Sequence, residues 1–189
     1  MFTAHPSKTC HPSHIQPLVQ IYSGTLSSAD RHILAIFHLY ECEKKSSVAS
    51  SLLAWSAQGS FVSQSPLDIV SNLDSSTVFR TCLNFPIRRT LSVGAKQELS
   101  DTAQDDNRLY DPVFILLLVS QVLVENSPQS ARDWVRLYRA NVVSLCIRCL
   151  SSVDSALRQL ALLQLSLIWS LMPVSTRFQL PRTYITKKL

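Results

Sequence analysis

The most suggestive spacing for chemistry in this sequence is Cys146-x-x-Cys149, which places two thiols one helical turn apart. Two thiolates on one helix face could bind a metal, but a structural zinc site needs four ligands, and no second pair of Cys or His lies nearby in sequence. The five cysteines are odd in number and spread along the chain. We therefore predict buried thiols in a reducing compartment, with no metal and no disulfide framework.

The histidines do not complete a catalytic set either. Nucleophilic catalysis needs a base and an orienting acid beside a Cys or Ser, and neither His32 nor His38 lies in a motif of that kind. Cys10 and His14 could offer metal ligands, but the polar segment that carries them has no element to hold them in place. The chain has three glycines and no phosphate-binding or zinc-protease motif. We predict no catalytic residue, no cofactor and no small-molecule substrate.

Basic residues are the remaining candidates for a binding function. Arg88-Arg89 follows a predicted helix, and the tail after Pro173 carries four basic residues and no acid, with two aromatic residues interleaved. Cationic groups neutralise phosphates and aromatic rings stack on unpaired bases, although a solvated loop and a frayed terminus have the same composition. The candidate RNA contacts are Arg88, Arg89, Arg177, Arg182, Lys187 and Lys188.

Helical periodicity dominates the segments that must hold these residues, and no strand-like alternation competes with it. Helix-start signals such as Asp111-Pro112 and Asp154 support the periodicity. The polar segment 92–108 has few apolar residues and predicts a long loop. The predicted helices cover about 28–43, 48–55, a short helix from 65, 75–83, 111–125, 130–150 with a bend near Asn141, and 154–171. The pattern predicts an all-α fold.

Length and composition fit one domain whose surface is partly covered by other protein. The 189 residues are 46% apolar, enough for a buried core, but only 16% are charged, against about 25% in a typical soluble domain. The net charge of +5 permits an acidic partner without requiring one. The N-terminus is too polar for a signal peptide. The apolar stretches 113–124 and 157–172 are too short or too polar for a membrane span of about twenty residues.

We predict three segments: a disordered N-terminal segment 1–16, a helical domain 17–172 and a basic, disordered tail 173–189. Within the domain, residues 142–150, 151–154 and 157–162 have the pattern of helix, tight turn and helix, which resembles a HEAT or armadillo unit. Such pairs bury their apolar faces by stacking into a solenoid, and Arg158 could reach an acid or carbonyl of a stacked neighbour. The residues expected to hold the structure are Asp111, Pro112, Trp134, Asp154, Arg158 and Ala161.

Several short sequence motifs, taken in order, resemble the sequences of a known family. They include YSGTLS at 22–27, LDSSTVFRTCLNFP at 73–86, LYDPVF at 109–114, and NVVSL at 141–145 followed by Asp154, Arg158 and Ala161. Together they resemble the C-terminal domain of the nucleolar pre-ribosomal-associated proteins, of the Urb/Npa type and fungal-like. The resemblance covers residues 17–171. It stops before the basic tail, and family members are far longer than this chain.

The resemblance implies a nucleolar helical-repeat scaffold that acts early in large (60S) ribosomal subunit assembly and rRNA processing. Its implied partners are pre-ribosomal RNA particles, other assembly factors and small nucleolar RNA. The resemblance implies no catalytic residues in this chain. The alternative is a generic helical-repeat adaptor that binds only protein and has no connection with ribosomes.

Overall fold

The computed structural model describes residues 11–44, 48, 66–91, 106–125 and 127–172. These residues form eight α-helices, one 3-10 turn and a two-stranded antiparallel sheet, so the prediction of a mainly helical fold is confirmed. The elements are the 3-10 turn Pro12–His14, α1 (Ile15–Ile21), β1 (Thr25–Leu26), α2 (Ser28–Lys44), α3 (Pro66–Ser71), α4 (Ser75–Leu83), β2 (Asp106–Tyr110), α5 (Pro112–Glu125), α6 (Ala131–Arg139), α7 (Val142–Cys149) and α8 (Ser155–Leu171).

Helix α5 forms the centre of the core. A helix that is apolar all round has to be enclosed by protein, and α3, α7 and α8 all pack against it. Its first residue is the buried Pro112, and Asp111 caps it by accepting a 2.9 Å hydrogen bond from the Val113 amide. The described helices include none whose length and apolar character would let it span a bilayer. The side chains of α5 with no exposed surface are Phe114, Ile115, Leu116, Val119 and Val122.

The last three helices follow one another through tight turns, with α6 packed on α7 and α7 on α8. Ser130 and Asp133 form a capping box at the start of α6, which buries Trp134. Asn141 adopts a left-handed conformation with φ of 60°, which separates α6 from α7 where the sequence predicts a bend. The Asp154 side chain then caps α8. Local capping chemistry therefore sets these helix boundaries.

The small sheet joins two segments that lie far apart in sequence. Thr25 pairs with Tyr110 and Leu26 pairs with Asp106, with an irregularity in register between the two pairs. Strand β2 also packs against α4, and the Tyr110 amide donates a 3.0 Å hydrogen bond to the Thr81 hydroxyl of that helix. The sheet thus fixes the N-terminal helices to the central part of the fold.

The turn before β1 depends on a glycine and a buried acid. Gly24 has φ of +71°, and a Cβ atom there would lie 2.3 Å from the Phe114 ring. The buried Asp30 carboxylate accepts hydrogen bonds from the Ser23 and Thr25 amides, at 3.0 and 2.8 Å. The turn therefore packs directly against α5, and a carboxylate of α2 accepts the hydrogen bonds of two of its backbone amides.

The structure differs from the sequence prediction at two boundaries. The chain is helical from Pro12, inside the segment 1–16 predicted as disordered. Residues 106–108, predicted as the end of the loop 92–108, instead belong to β2. The partner strand is too distant in sequence to leave a local signal. The rest of that loop (92–105), and the predicted helix 48–55 apart from the buried Val48, lie outside the described residues.

Candidate functional site

The connector loop (residues 84–91) follows α4 and carries the predicted basic pair. Arg89 donates to the Asp111 carboxylate from Nε at 3.1 Å and from Nη2 at 2.8 Å. The two side chains are 7% and 1% exposed. Because Asp111 also caps α5, the pair ties the connector loop to the start of the central helix. The guanidinium of Arg89, one of the predicted RNA contacts, is buried against a carboxylate and so has little surface to offer to RNA.

The other side of the connector loop is held by the turn between α7 and α8. The Ile87 carbonyl accepts hydrogen bonds from the Val153 amide at 3.0 Å and from the Ser152 hydroxyl at 3.3 Å. The Leu91 amide donates to Oδ2 of Asp154 at 2.5 Å, while Oδ1 accepts from the first turn of α8. Asp154 therefore caps a helix and anchors the connector loop.

Arg158 and Ala161 complete this turn. Nη1 of Arg158 donates to the Ser152 and Val153 carbonyls, at 2.7 and 2.8 Å. The side chain thus closes its own turn, whereas the sequence suggested contact with a stacked neighbour. Ala161 has no exposed surface and lies on α8, which packs on both α5 and α7.

The two thiols of the Cys-x-x-Cys pair lie in the core, as the sequence predicts. Cys146 and Cys149 have no exposed surface. Burial raises the pKa of Cys146 to about 12 and also raises the pKa of Cys149. The Cys146 thiol donates to Oε1 of Gln164, whose amide nitrogen donates to the Leu116 carbonyl at 2.6 Å. Within the described ranges, no group of three or more His, Cys, Asp or Glu residues could hold a metal ion.

Two exposed apolar surfaces remain after the core is accounted for. The first, the arginine–aliphatic surface, lies on α4, the connector loop and the end of α7. Its side chains are far from buried: Leu83 is 65% exposed and Val153 is 69% exposed. Helical periodicity alone assigns such residues to the core, which is why the sequence analysis missed the surface. Its members are Phe79, Arg80, Leu83, Ile87, Arg88, Ile147, Arg148, Leu150 and Val153.

The second surface is the outer face of α8. One stripe of this helix is buried, but the rest of its surface exposes large apolar residues, and no charged residue follows Arg158 along the helix. Monomeric surfaces rarely expose several large apolar side chains together without a binding role. The exposed residues are Leu162, Leu163, Leu167, Trp169 and Leu171.

Of the predicted RNA contacts, the structure describes Arg88 and Arg89. Arg88 is exposed in the connector loop, next to Arg89, whose side chain is buried. The other four (Arg177, Arg182, Lys187 and Lys188) lie outside the described residues.

Two curated proteins match this chain over most of its length. Nucleolar pre-ribosomal-associated protein 1 of Homo sapiens is 32% identical in an alignment 169 residues long that covers 80% of this chain. The Mus musculus protein of the same name is 30% identical in an alignment 180 residues long that covers 85% of this chain. The chain is related to a segment of the nucleolar pre-ribosomal-associated proteins. The match covers only 7% and 8% of the length of the two relatives.

The two nucleolar pre-ribosomal-associated relatives confirm the family resemblance drawn from the sequence phrases. That the segment corresponds to their C-terminal domain, and that the chain is fungal-like, stay predictions. No family model matches the chain. No solved structure matches it either.

Proposed function

We propose that this chain is a non-enzymatic scaffold of early large-subunit ribosome assembly and rRNA processing. The observation that carries the proposal is the similarity to two proteins named as nucleolar and pre-ribosomal-associated, at 30–32% identity over most of the chain. The location that follows from this relationship is the nucleolus. The partners are then pre-ribosomal particles and other assembly factors, with small nucleolar RNA as a further partner.

The proposed architecture is a segment of a HEAT- or armadillo-like stack formed by residues 17–172. Its support is the succession of α6, α7 and α8, each packed on the next, with the turn before α8 closed by Asp154 and Arg158. Helical units of this kind bury their faces against neighbours. The uncharged outer face of α8 fits that arrangement, because a further helical element could cover it.

A structural role without catalysis agrees with the chemistry of the core. A thiol with a pKa near 12 is a poor nucleophile at neutral pH, so Cys146 is unsuited to covalent catalysis. Contacts with RNA stay a prediction for Arg88 and for the four basic residues of the tail.

Affinity purification tests the proposed function. The full chain is tagged and recovered from nucleolar extract, and precursor rRNAs are quantified in the eluate against an untagged extract. Enrichment of large-subunit precursors over small-subunit precursors is expected. Equal recovery of both, or of neither, contradicts a role in large-subunit assembly.

The second candidate function is a helical adaptor that binds only protein, and the uncharged α8 face favours it. RNA crosslinking in living cells separates the two candidates, because a protein-only adaptor gives background signal. Crosslinks concentrated in pre-ribosomal RNA support the ribosomal scaffold.

A further inference from the structure

The arginine–aliphatic surface combines exposed apolar side chains with three exposed arginines. On α4, Phe79 and Leu83 are four residues apart and share a face with Arg80, while Val78 and Thr81 point into the core. The exposed face of this helix therefore presents one aromatic, one aliphatic and one cationic group to solvent.

Helix α7 extends the same surface. Ile147 and Leu150 are exposed one turn apart, and Arg148 lies between them in sequence. Nε of Arg148 donates to the Cys82 carbonyl at 3.2 Å, and its guanidinium carbon lies 6.0 Å from the centroid of the Phe85 ring. This side chain thus bridges the end of α7 to the end of α4, which makes the two exposed faces continuous.

The connector loop forms the third part of the arginine–aliphatic surface, after α4 and α7. The hydrogen bond from the Val153 amide to the Ile87 carbonyl places these two exposed aliphatic residues side by side, with Arg88 next to them. Because Arg89 anchors the loop to Asp111, the loop is held in place by the core. The surface is therefore formed before any partner binds, so a partner need not order it.

Within the part of the chain that the structure describes, little of the positive charge of this surface is compensated by acidic side chains. Neither Arg80, Arg88 nor Arg148 forms an ion pair with a described residue. The nearby acids have other roles, since Asp74 caps α4 and Asp154 caps α8. Arg80 also interacts with the Asp74 carboxylate beyond ion-pair distance. All three arginines are nevertheless exposed, so carboxylates from outside can reach them.

We infer that the arginine–aliphatic surface docks an acidic, amphipathic segment of a partner protein. Its aliphatic side chains gain free energy only against other apolar groups, and its arginines pair best with carboxylates or phosphates. The phosphates of RNA could pair with the arginines. Proteins recognise single-stranded RNA by stacking its bases on aromatic rings, however, and Phe79 is the one aromatic residue of the arginine–aliphatic surface. A helix with leucines or isoleucines on one face and flanking Asp or Glu satisfies both features. The inference does not depend on the proposed ribosomal function.

Site-specific photo-crosslinking tests the inference in the full chain expressed in cells. The probe is a benzophenone side chain introduced as Leu83→p-benzoylphenylalanine, a position exposed enough to accept it. The matched control places the same probe at Val135, an exposed residue of α6. Crosslinked peptides are sequenced by mass spectrometry and crosslinked RNA is radiolabelled.

The expected result is a protein segment with net negative charge and regularly spaced apolar residues, absent from the Val135 control. The double variant Arg80→Glu/Arg88→Glu should reduce the crosslink about tenfold, because like charges at an interface disfavour association. The matched pair Arg132→Glu/Arg139→Glu on α6 should leave it within about twofold. Circular dichroism melts establish that both variants stay folded.

Four crosslinking results overturn the inference. They are a crosslink to RNA, a crosslink to protein segments without excess acid, a crosslink to residues 92–105 of this chain itself, and a signal no higher than the Val135 control. Equal loss in the two double variants also overturns it, since the effect would then reflect overall charge.

Discussion

Arg89 and Asp111 form a buried ion pair at 2.8 Å that joins the loop after α4 to the first turn of the central helix. The neighbouring Arg88 is exposed, so two adjacent arginines have opposite environments. The pair positions the connector loop, and through it the exposed surface formed with α7. The integrity of that surface should therefore depend on a residue that is itself inaccessible to any partner.

Replacing Arg89 should be strongly destabilising. Arg89→Met keeps much of the apolar stem but leaves the Asp111 carboxylate buried without its cation, and we expect a loss of about 3–5 kcal/mol in the free energy of unfolding. Arg88→Met is the matched control and should change stability by less than about 0.5 kcal/mol. Urea unfolding followed by circular dichroism measures both.

The double variant Arg89→Met/Asp111→Asn sharpens this test. Asn retains the capping oxygen for α5 and removes the uncompensated charge, so part of the lost stability should return. If Arg89→Met and Arg88→Met lose the same free energy, the ion pair has no special role.

Gly24 should resist replacement by alanine. The left-handed backbone costs about 1–2 kcal/mol for a residue with a Cβ atom, and the contact with the Phe114 ring adds about 1–3 kcal/mol of overpacking. In a Phe114→Leu background the overpacking cost should largely disappear, so that Gly24→Ala then loses only the backbone cost of about 1–2 kcal/mol. A chemical-denaturation cycle over the four proteins measures the difference. An identical loss in both backgrounds would show that the ring contact is unimportant.

Two tryptophans provide a matched comparison of core and surface. Trp134 is 4% exposed and Trp169 is 54% exposed. Trp134→Ala should cost about 3–5 kcal/mol because it leaves a cavity, whereas Trp169→Ala should cost less than about 1 kcal/mol. Thermal melts of the isolated chain report both. The assignment of α6 to the core fails if the two losses are similar.

The buried thiols should make stability fall in alkaline solution. Burial raises the pKa of Cys146 to about 12, while a thiol in the unfolded chain titrates near its ordinary value of about 8.5. Above that value the unfolded state binds fewer protons than the folded state, so stability decreases as pH rises. The expected loss at pH 10 is about 1–2 kcal/mol for this thiol.

Cys146→Ala should reduce the slope of unfolding free energy against pH between about pH 8 and 10. Cys42→Ala is the matched control, because it removes an exposed thiol of α2 that lies outside the core. Equal slopes in wild type and Cys146→Ala would contradict the burial of this thiol.

Features set by local chemistry are the ones that the sequence predicted. Asp111 before Pro112 and Asp154 before α8 both act within one helical turn, so their pattern is visible in the chain itself. The burial of the Cys146 thiol follows from helical spacing in an apolar segment.

Features that depend on distant partners were missed. The Arg89–Asp111 pair and the pairing of Thr25 with Tyr110 join residues that no local rule connects. Helical spacing places Leu83 and Ile147 on a face of a helix, but it does not reveal whether another element covers that face. The exposed surface therefore emerges only from the packed structure.

Sedimentation of nucleolar extract gives the most direct test of the central claim, that this helical chain is part of pre-ribosomal particles. The tagged chain is followed through a sucrose gradient, with and without a short block of rRNA synthesis. The expected result is that the chain co-sediments with large-subunit precursors and moves to light fractions when those precursors are depleted. A chain that remains in light fractions, or whose sedimentation ignores the block, would contradict it.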